Sequence, residues 1–324
     1  MNELEQGLVE VALTRLGADG IEGLTRLTAG ATQEIWRFDL VAGEARTPLI
    51  LRRAPGGVRV SENAVGLETE ARLIQAAAAA GAPEPPIVHV LEPQDGLGRG
   101  FIMGFVEGET LGGRIARGEV FAKVRPRLAG QCGEILARIH GLDPAAFPTL
   151  RRATPAELLA GYLATYRASA WPRPVFELAF RWLEANCPPA REMRLVHGDF
   201  RNGNLIFGPE GVRAVLDWEI AHVGDPMEDL GWICTAPWRF GAIDKPVGGF
   251  GEREDLWGAY EAAGGAPVRR EEAHFWEVYG SMRWGVMCAS MAAAFRSADP
   301  TVERAVIARR TSENELDLMR LLAA

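Results

Sequence analysis

LVHGDFRNGNLIF, residues Leu195 to Phe207, sets a His, an Asp, an Arg and two Asn on a short loop between two apolar runs that read as β-strands. A plain hairpin is one explanation, because Asn202, Gly203 and Asn204 all suit tight turns and positive φ. The stretch that follows, AVLDWEIAHVGDPMEDLGW from Ala214 to Trp232, changes the balance. It opens with another strand, Ala214 to Leu216, which ends on the carboxylate of Asp217. Two strands delivering Asp199, Asn204 and Asp217 to one end of a hairpin make an acidic, oxygen-rich cluster, the chemistry that hard cations such as Mg²⁺ seek.

The rest of the composition narrows the alternatives. A chain of 324 residues is long enough for two lobes, each with its own core. Its one low-complexity block, Ala76 to Ala80, reads as helix. The net charge is −8, and the basic residues are scattered, so there is no electrostatic stripe for nucleic acid. MNELEQGLVEVALTRLG at the start mixes Glu into its apolar positions and does not read as a signal peptide. No apolar run approaches the length of a membrane span. Cys132, Cys187, Cys234 and Cys288 lie far apart with no C-x-x-C spacing, as expected of reduced cysteines in a cytoplasmic protein and not of a disulfide frame or zinc site.

Along the chain the pattern changes after the first third. An initial helix is followed by LTRLTAGATQEIWRFDL and TPLILRRAP, short β-rich runs that predict a small antiparallel sheet. A helix from about Leu67 to Ala80 ends at Gly81, and APEPP forbids its continuation. IVHVLEP and GFIMGFVEG are two further strands. Beyond Thr110 the period turns helical: Leu128, Cys132, Ile135, Leu136 and Ile139 keep helix spacing, and similar patterns recur to Leu322, interrupted by the polar hairpin. Eight of the nine tryptophans lie in this part, most of them read as packing residues.

A β-rich first part with one helix, a connecting strand, and a helical second part bearing H-x-D-x-x-x-x-N before a strand ending in Asp resembles the protein-kinase-like fold. Within that fold HGDFRNGN and LDWEIAHVGDPMEDLGW resemble the signature of the aminoglycoside phosphotransferase and choline kinase superfamily of small-molecule kinases. With LILRRAPGG and GDPMEDLGW, the chain is most similar to the branch that includes the kinase-like domain of some acyl-CoA dehydrogenases. The fold class this implies is α+β, two-lobed: residues 1–107 as a nucleotide-binding lobe including the hinge strand, and residues 108–324 as a helical lobe with the catalytic loop and acceptor site.

The resemblance also implies roles. Phosphoryl transfer asks a protein to place an acceptor hydroxyl in line with the γ-phosphate of ATP and to neutralise spreading charge. Asp199 would take or orient the hydroxyl proton, while Asn204 and Asp217 would bind Mg²⁺. Arg201 stands where related protein kinases carry a Lys on the transferred phosphate, and either clamps phosphate or faces solvent. His197 is expected to brace the loop. Glu219 points to the side of Asp217 if the chain stays extended. Asp225 is expected to be an N-cap with Glu228 as a capping-box partner, and Asp229 to tie the catalytic loop to the following helix.

The first part departs from protein kinases twice. TAGATQEIW holds one glycine, Gly30, whose loop is expected to cover the phosphates through backbone N–H groups. The usual strand lysine is missing, since Lys123 and Lys245 are the only lysines. Arg52 or Arg53 must replace it. Strand alternation puts Ile50 with Arg52 and Leu51 with Arg53, and the family's pattern favours Arg52. Its helix partner is Glu70, with Glu68 as the competing choice. Backbone at Phe105 and Val106 is expected to meet the adenine edge, with Ile50 and Ile206 or Phe207 as walls.

These expectations describe an ATP- and Mg²⁺-dependent kinase of a small-molecule hydroxyl, with no nucleic-acid or membrane partner. A nucleotide-binding pseudokinase is the alternative that the missing lysine keeps open. Trp232, Trp238 and Trp284, with Arg239 and Arg283 beside two of them, suit a partly apolar, neutral or anionic acceptor such as a hydroxyacyl compound better than a polycationic aminoglycoside or choline.

Overall fold

The computed structural model describes residues 2–27, 33–54, 64–169, 172–297 and 301–323. The chain forms two compact units, Met1–Gly108 with Arg213–Ala221, and Glu109–Val212 with His222–Ala324. The expected division at 107 and 108 differs from this in one segment. Residues 213–221 join the first unit because they bond to it: Val215 N–H donates to the Pro83 carbonyl, Arg213 Nη1 to the Glu107 carbonyl at 2.7 Å, and the Trp218 indole to Glu84 at 3.3 Å.

In the first unit, helix α1 (Glu3–Thr14) starts where the Asn2 side chain accepts from the Glu5 N–H, at 2.9 Å. Strands β1 (Gly20–Leu27), β2 (Glu34–Ala42) and β3 (Ala45–Ala54) are followed by helix α2 (Leu67–Ala79) and strands β4 (Ile87–Val90) and β5 (Arg99–Gly104). They make a five-stranded antiparallel sheet in the order β1-β2-β3-β5-β4. β3 is central, and its side chains alternate between two buried faces. Leu49 and Leu51 join Phe38, Ile102 and the α1 residues Leu4, Leu8 and Val11 in one apolar cluster. Ile50 and Arg52 point the other way, so an arginine is buried in the central strand, paired with Ile35 of β2 and Phe101 of β5.

The second unit is mainly helical. In chain order it contains α3 (Gly112–Arg117), α4 (Arg125–His140), α5 (Pro155–Ala168), α6 (Pro174–Ala185), strands β6 (Arg194–Val196) and β7 (Leu205–Gly208), and β8 (Gly211–Val215), which carries the chain over to the first unit. Then come β9 (His222–Gly224), α7 (Met227–Trp232), α8 (Arg253–Ala262), α9 (Arg270–Ser297), α10 (Val302–Ala308) and α11 (Thr311–Leu322). Local signals explain the boundaries. α5 has Pro155 at its first position and a reciprocal Thr154–Glu157 capping box, worth about 1 kcal/mol. α4 buries the expected stripe of Leu128, Cys132, Ile135, Leu136 and Ile139. The short helix α7 lies so close to α9 that a Cβ on Gly231 would stand 2.6 Å from the Cβ of Trp276.

The expected strand at 214–216 runs over Gly211–Val215. No helix among the described residues is long and apolar enough to cross a membrane, and all four cysteines are free.

Candidate active site

The loop between β6 and β7 is held from below by one carboxylate. Asp229 of α7 accepts from the backbone N–H groups of His197 and Gly198, both at 2.8 Å, and lies 3.1 Å from His140 Nε2. Burial raises its carboxyl, yet the hydrogen bond and charge of His140 and the backbone donors outweigh this and hold it below the ordinary Asp value. The tie expected of Asp229 is therefore present. Gly198 turns the loop with φ 80°, a conformation in which a Cβ is strained. Arg283 of α9 donates to the Gly198 carbonyl at 3.1 Å and pairs with Glu228 at 3.3 Å. Asn202, fully buried, donates to the Gly248 carbonyl at 2.7 Å. The His197 ring accepts from the Asp199 N–H at 3.2 Å, so His197 braces the loop.

On this support Asp199 presents a carboxylate surrounded by donors. Oδ1 accepts from the Trp232 indole at 2.7 Å and from Arg201 Nε at 3.1 Å, and Oδ2 accepts from Asn204 Nδ2 at 2.6 Å. With its Nδ2 committed to Asp199, Asn204 keeps Oδ1 as the atom suited to a cation. Arg201 does not face open solvent. Its guanidinium lies over the Trp238 ring, 4.3 Å from the centroid, while its Nε pairs with Asp199. Trp238 in turn packs on Trp232 and Trp284, at 5.3 and 5.0 Å between centroids, and Arg310 stands 5.9 Å from the Trp284 ring.

The sequence reading missed the Trp232 hydrogen bond, although it singled out Trp232 for another reason. Of the two arginines expected beside the tryptophans, Arg283 does lie over the Trp232 ring, 4.2 Å from its centroid, while bonded to the loop as described; Arg239 is committed to Glu277 at 2.7 Å and the Cys234 carbonyl. The expected capping box is also not formed. Asp225 caps the Met227 N–H at 2.9 Å, but the Glu228 carboxylate is drawn to His222 at 3.2 Å and to Arg283, because both side chains reach it inside the core.

The first unit gathers the remaining residues around Arg52. Its guanidinium is 3.2 Å from Glu70, 3.1 Å from Asp217 and 3.7 Å from Glu219, and its Nε donates to Gln33 at 2.5 Å. Arg53 lies on the opposite face with Glu34 at 2.9 Å and the Leu97 carbonyl, and Glu68 pairs with Arg99 at the surface. Between the competing pairs, the structure thus joins Arg52 to Glu70. Burial, with Asp217 and Glu219 nearby, raises the Glu70 carboxyl to about 7 against the pull of Arg52. Asp217 has φ 70°, so the chain does not stay extended there, yet Glu219 still reaches Arg52. An Asp tolerates this left-handed conformation better than most residues.

Of the hinge residues, Phe105 is half-exposed under the Arg37 guanidinium, 5.1 Å away, and its N–H donates to the Pro48 carbonyl. That leaves the Val106 N–H without a partner among the described residues. Phe207 is a core residue packed on Phe250, and Ile50 and Ile206 are buried. Gly30 lies outside the described residues.

The donors suit a hard cation: Asn204 Oδ1 and Asp217 Oδ2 are oxygens not used by Asp199 or Arg52. No cluster of three or more His, Cys, Asp or Glu among the described residues forms a metal cage by itself. Each is an oxygen of the kind Mg²⁺ takes, an ion that keeps water and substrate phosphates in its shell in place of a full protein cage.

Known proteins share this architecture. The spectinomycin phosphotransferase APH(9)-Ia, solved with ADP and spectinomycin, superposes with a TM-score of 0.67 at 14% identity, covering 98% of this chain and 97% of that one. A choline/ethanolamine kinase family protein from Mesorhizobium loti gives 0.64 at 20% identity, covering 98% and 94%. Both show the expected α+β, protein-kinase-like fold. Acyl-CoA dehydrogenase family member 10 of Mus musculus is 32% identical over 199 residues, 58% of this chain and 18% of that protein. The chain therefore spans under a fifth of that relative's length. Residues 23–265, which include Arg52, Glu70, Asp199, Asn204, Asp217 and Asp229, match the model of the phosphotransferase enzyme family, and the chain belongs to that family.

Proposed function

We propose that the chain transfers the γ-phosphoryl group of ATP to a hydroxyl of a small hydroxyacyl compound, with Mg²⁺, in the cytoplasm. The observation that carries this reading is the Asp199 loop, whose carboxylate is fixed by three donors and whose backbone is pinned by Asp229. Such rigidity serves a group that must meet a hydroxyl in one geometry.

In the proposed reaction the acceptor oxygen bonds to the γ-phosphorus, the bond from that phosphorus to the ADP oxygen breaks, and the hydroxyl proton passes to Asp199. Arg201 steadies the transferring group from its seat on Trp238. Arg52 holds Asp217 and Glu70 in place, and its guanidinium would be the cation that meets an α- or β-phosphate. Val106 N–H would meet the adenine edge, with residues 1–107 taking the nucleotide and 108–324 the acceptor. Asn204 and Asp217 would be the residues that hold Mg²⁺, and the ion would supply neutralising charge for the phosphates.

Two features support the hydroxyacyl acceptor. The aromatic series Trp232, Trp238 and Trp284 carries Arg201 and Arg310, an apolar and cationic setting that suits an acyl compound and repels a polycation. The relatives are named as acyl-CoA dehydrogenases, whose substrates by name are acyl thioesters. ADP release from ATP and Mg²⁺ should rise with hydroxy acids or hydroxyacyl-CoA thioesters and stay at background with kanamycin or choline. Stimulation by kanamycin or choline alone would refute the acceptor class; silence with every hydroxyl compound would refute phosphotransfer.

A further inference from the structure

α8, the first turns of α9 and the end of α11 border a cavity of about 380 Å³, within the size range of small-ligand sites. Its lining sets Arg239, Arg253, Arg270 and Arg320 against two carboxylates, Glu277 and Asp317. His274, also in the lining, precedes the loop-bracing Arg283 by nine residues on α9, about 13 Å along a helix. None of its lining residues belongs to the Asp199 loop, and Arg239 follows Trp238, on which Arg201 lies.

The charges inside it do not cancel. Glu277, almost fully buried, takes Arg239 at 2.7 Å and Arg253 at 2.6 and 2.9 Å, so one carboxylate answers two guanidiniums. Arg320 has no hydrogen-bond or ion-pair partner among the described residues. Arg270 comes only within 4.0 Å of Glu254, and its guanidinium lies 5.8 Å from the Trp257 ring. Asp317 is the one remaining carboxylate. Burial, with Glu277 near it, raises its carboxyl above the ordinary Asp value and so favours the uncharged form. Two polar atoms are buried without a partner at this place, the Trp257 indole N–H and Asp317 Oδ2. Buried polar groups are usually hydrogen-bonded, and an orphaned donor beside surplus guanidiniums calls for an acceptor oxygen that brings negative charge.

We propose that this cavity is a second binding site of the chain, for a small organic anion whose phosphate or carboxylate meets Arg320, Arg270 and the Trp257 N–H. The apolar walls, Trp257, Ile243 and Leu321, take the body of that ligand. A bare anion fills the charge requirement and leaves these walls unused.

Titration calorimetry on the full chain with phenyl phosphate, benzoate and inorganic phosphate tests this. Phenyl phosphate or benzoate should bind with one site per chain, at least tenfold more tightly than inorganic phosphate, and whichever binds more tightly identifies the anionic group. The double variant Arg270→Ala, Arg320→Ala should lose at least tenfold in affinity for that probe. Both side chains are exposed and lack close ion pairs, so the variant's thermal midpoint without ligand should match that of the original chain, which separates lost binding from lost folding. Undiminished affinity in the double variant, inorganic phosphate binding as tightly as the aromatic anions, or no heat from either aromatic anion at millimolar concentration would each overturn the proposal.

Discussion

Around Arg52 one cation faces three carboxylates; around Asp199 one carboxylate faces three donors. The two arrangements look like mirror images, but they store opposite surpluses. At Asp199 the donors are an indole, an amide and a guanidinium, so the single charge is well satisfied and the loop is rigid. At Arg52 negative charge exceeds positive, and Glu70 responds by holding its proton up to about pH 7. The first arrangement suits a fixed reactive group. The second, with its surplus of carboxylates, is what the proposed function needs for taking up a divalent cation.

The most severe way to break this contrast is to remove the satisfied carboxylate. Asp199→Asn should lower turnover by a factor on the order of 10² to 10⁴, as expected for a lost general base, and leave Mg²⁺–nucleotide affinity nearly unchanged. Turnover near normal, measured as ADP release, would take Asp199 out of the chemistry.

The arginine pair sharpens the other side. Arg52→Ala strips a shared cation from three carboxylates, two of them partly or fully buried, and should cost about 3–5 kcal/mol of stability together with most nucleotide binding. Arg53→Ala breaks a pair at the sheet margin and should cost about 1 kcal/mol or less. Denaturant midpoints and nucleotide titrations of both variants decide the matter; equal small losses would mean that the buried charge cluster is not the nucleotide anchor.

The smallest effect is the most diagnostic, because the two regions carry opposite pH signs. Glu70 is raised in the folded chain from 4.5 to about 7, so its contribution to stability is complete below pH 4.5 and is lost as pH rises through about 7. Asp229 is lowered from 3.8, so its contribution is present above that pH and is lost as pH falls below it. Thermal midpoints across pH 3 to 8 should therefore lose their decline between 4.5 and 7 in Glu70→Gln, and lose part of their acid-side decline in Asp229→Asn. A Glu70→Gln profile parallel to that of the original chain would place the Glu70 titration outside this window.

Legibility in the sequence followed the range of the interaction. The two-residue period of a strand put Arg52 and Arg53 on opposite faces, the family's pattern favoured Arg52, and Glu70 stood out because it precedes the apolar stripe of α2. The Asp229 tie came with the motif. The Trp232 donor did not, since its bond to Asp199 joins residues 33 apart through a helix whose angle depends on Gly231 meeting Trp276. Arg239 and Arg283 were read from their neighbours in the chain, whereas their partners, Glu277 and Glu228, are set by how α7 and α9 pack. The assignment of 213–221 to the first unit rests on bonds to Pro83, Glu84 and Glu107, more than a hundred residues upstream, and no local pattern announces it.

That last segment has a consequence for synthesis. The first unit leaves the ribosome with its five strands but without Arg213–Ala221, and the missing piece arrives only after another hundred or so residues, roughly 5 to 20 s later. Until then the Glu84 carboxylate lacks the Trp218 indole, and Arg52 lacks Asp217 and Glu219. The nascent unit waits with part of its core unfilled and its charge cluster incomplete, so the N-terminal unit finishes folding only after the Glu109–Val212 part of the second unit has been made.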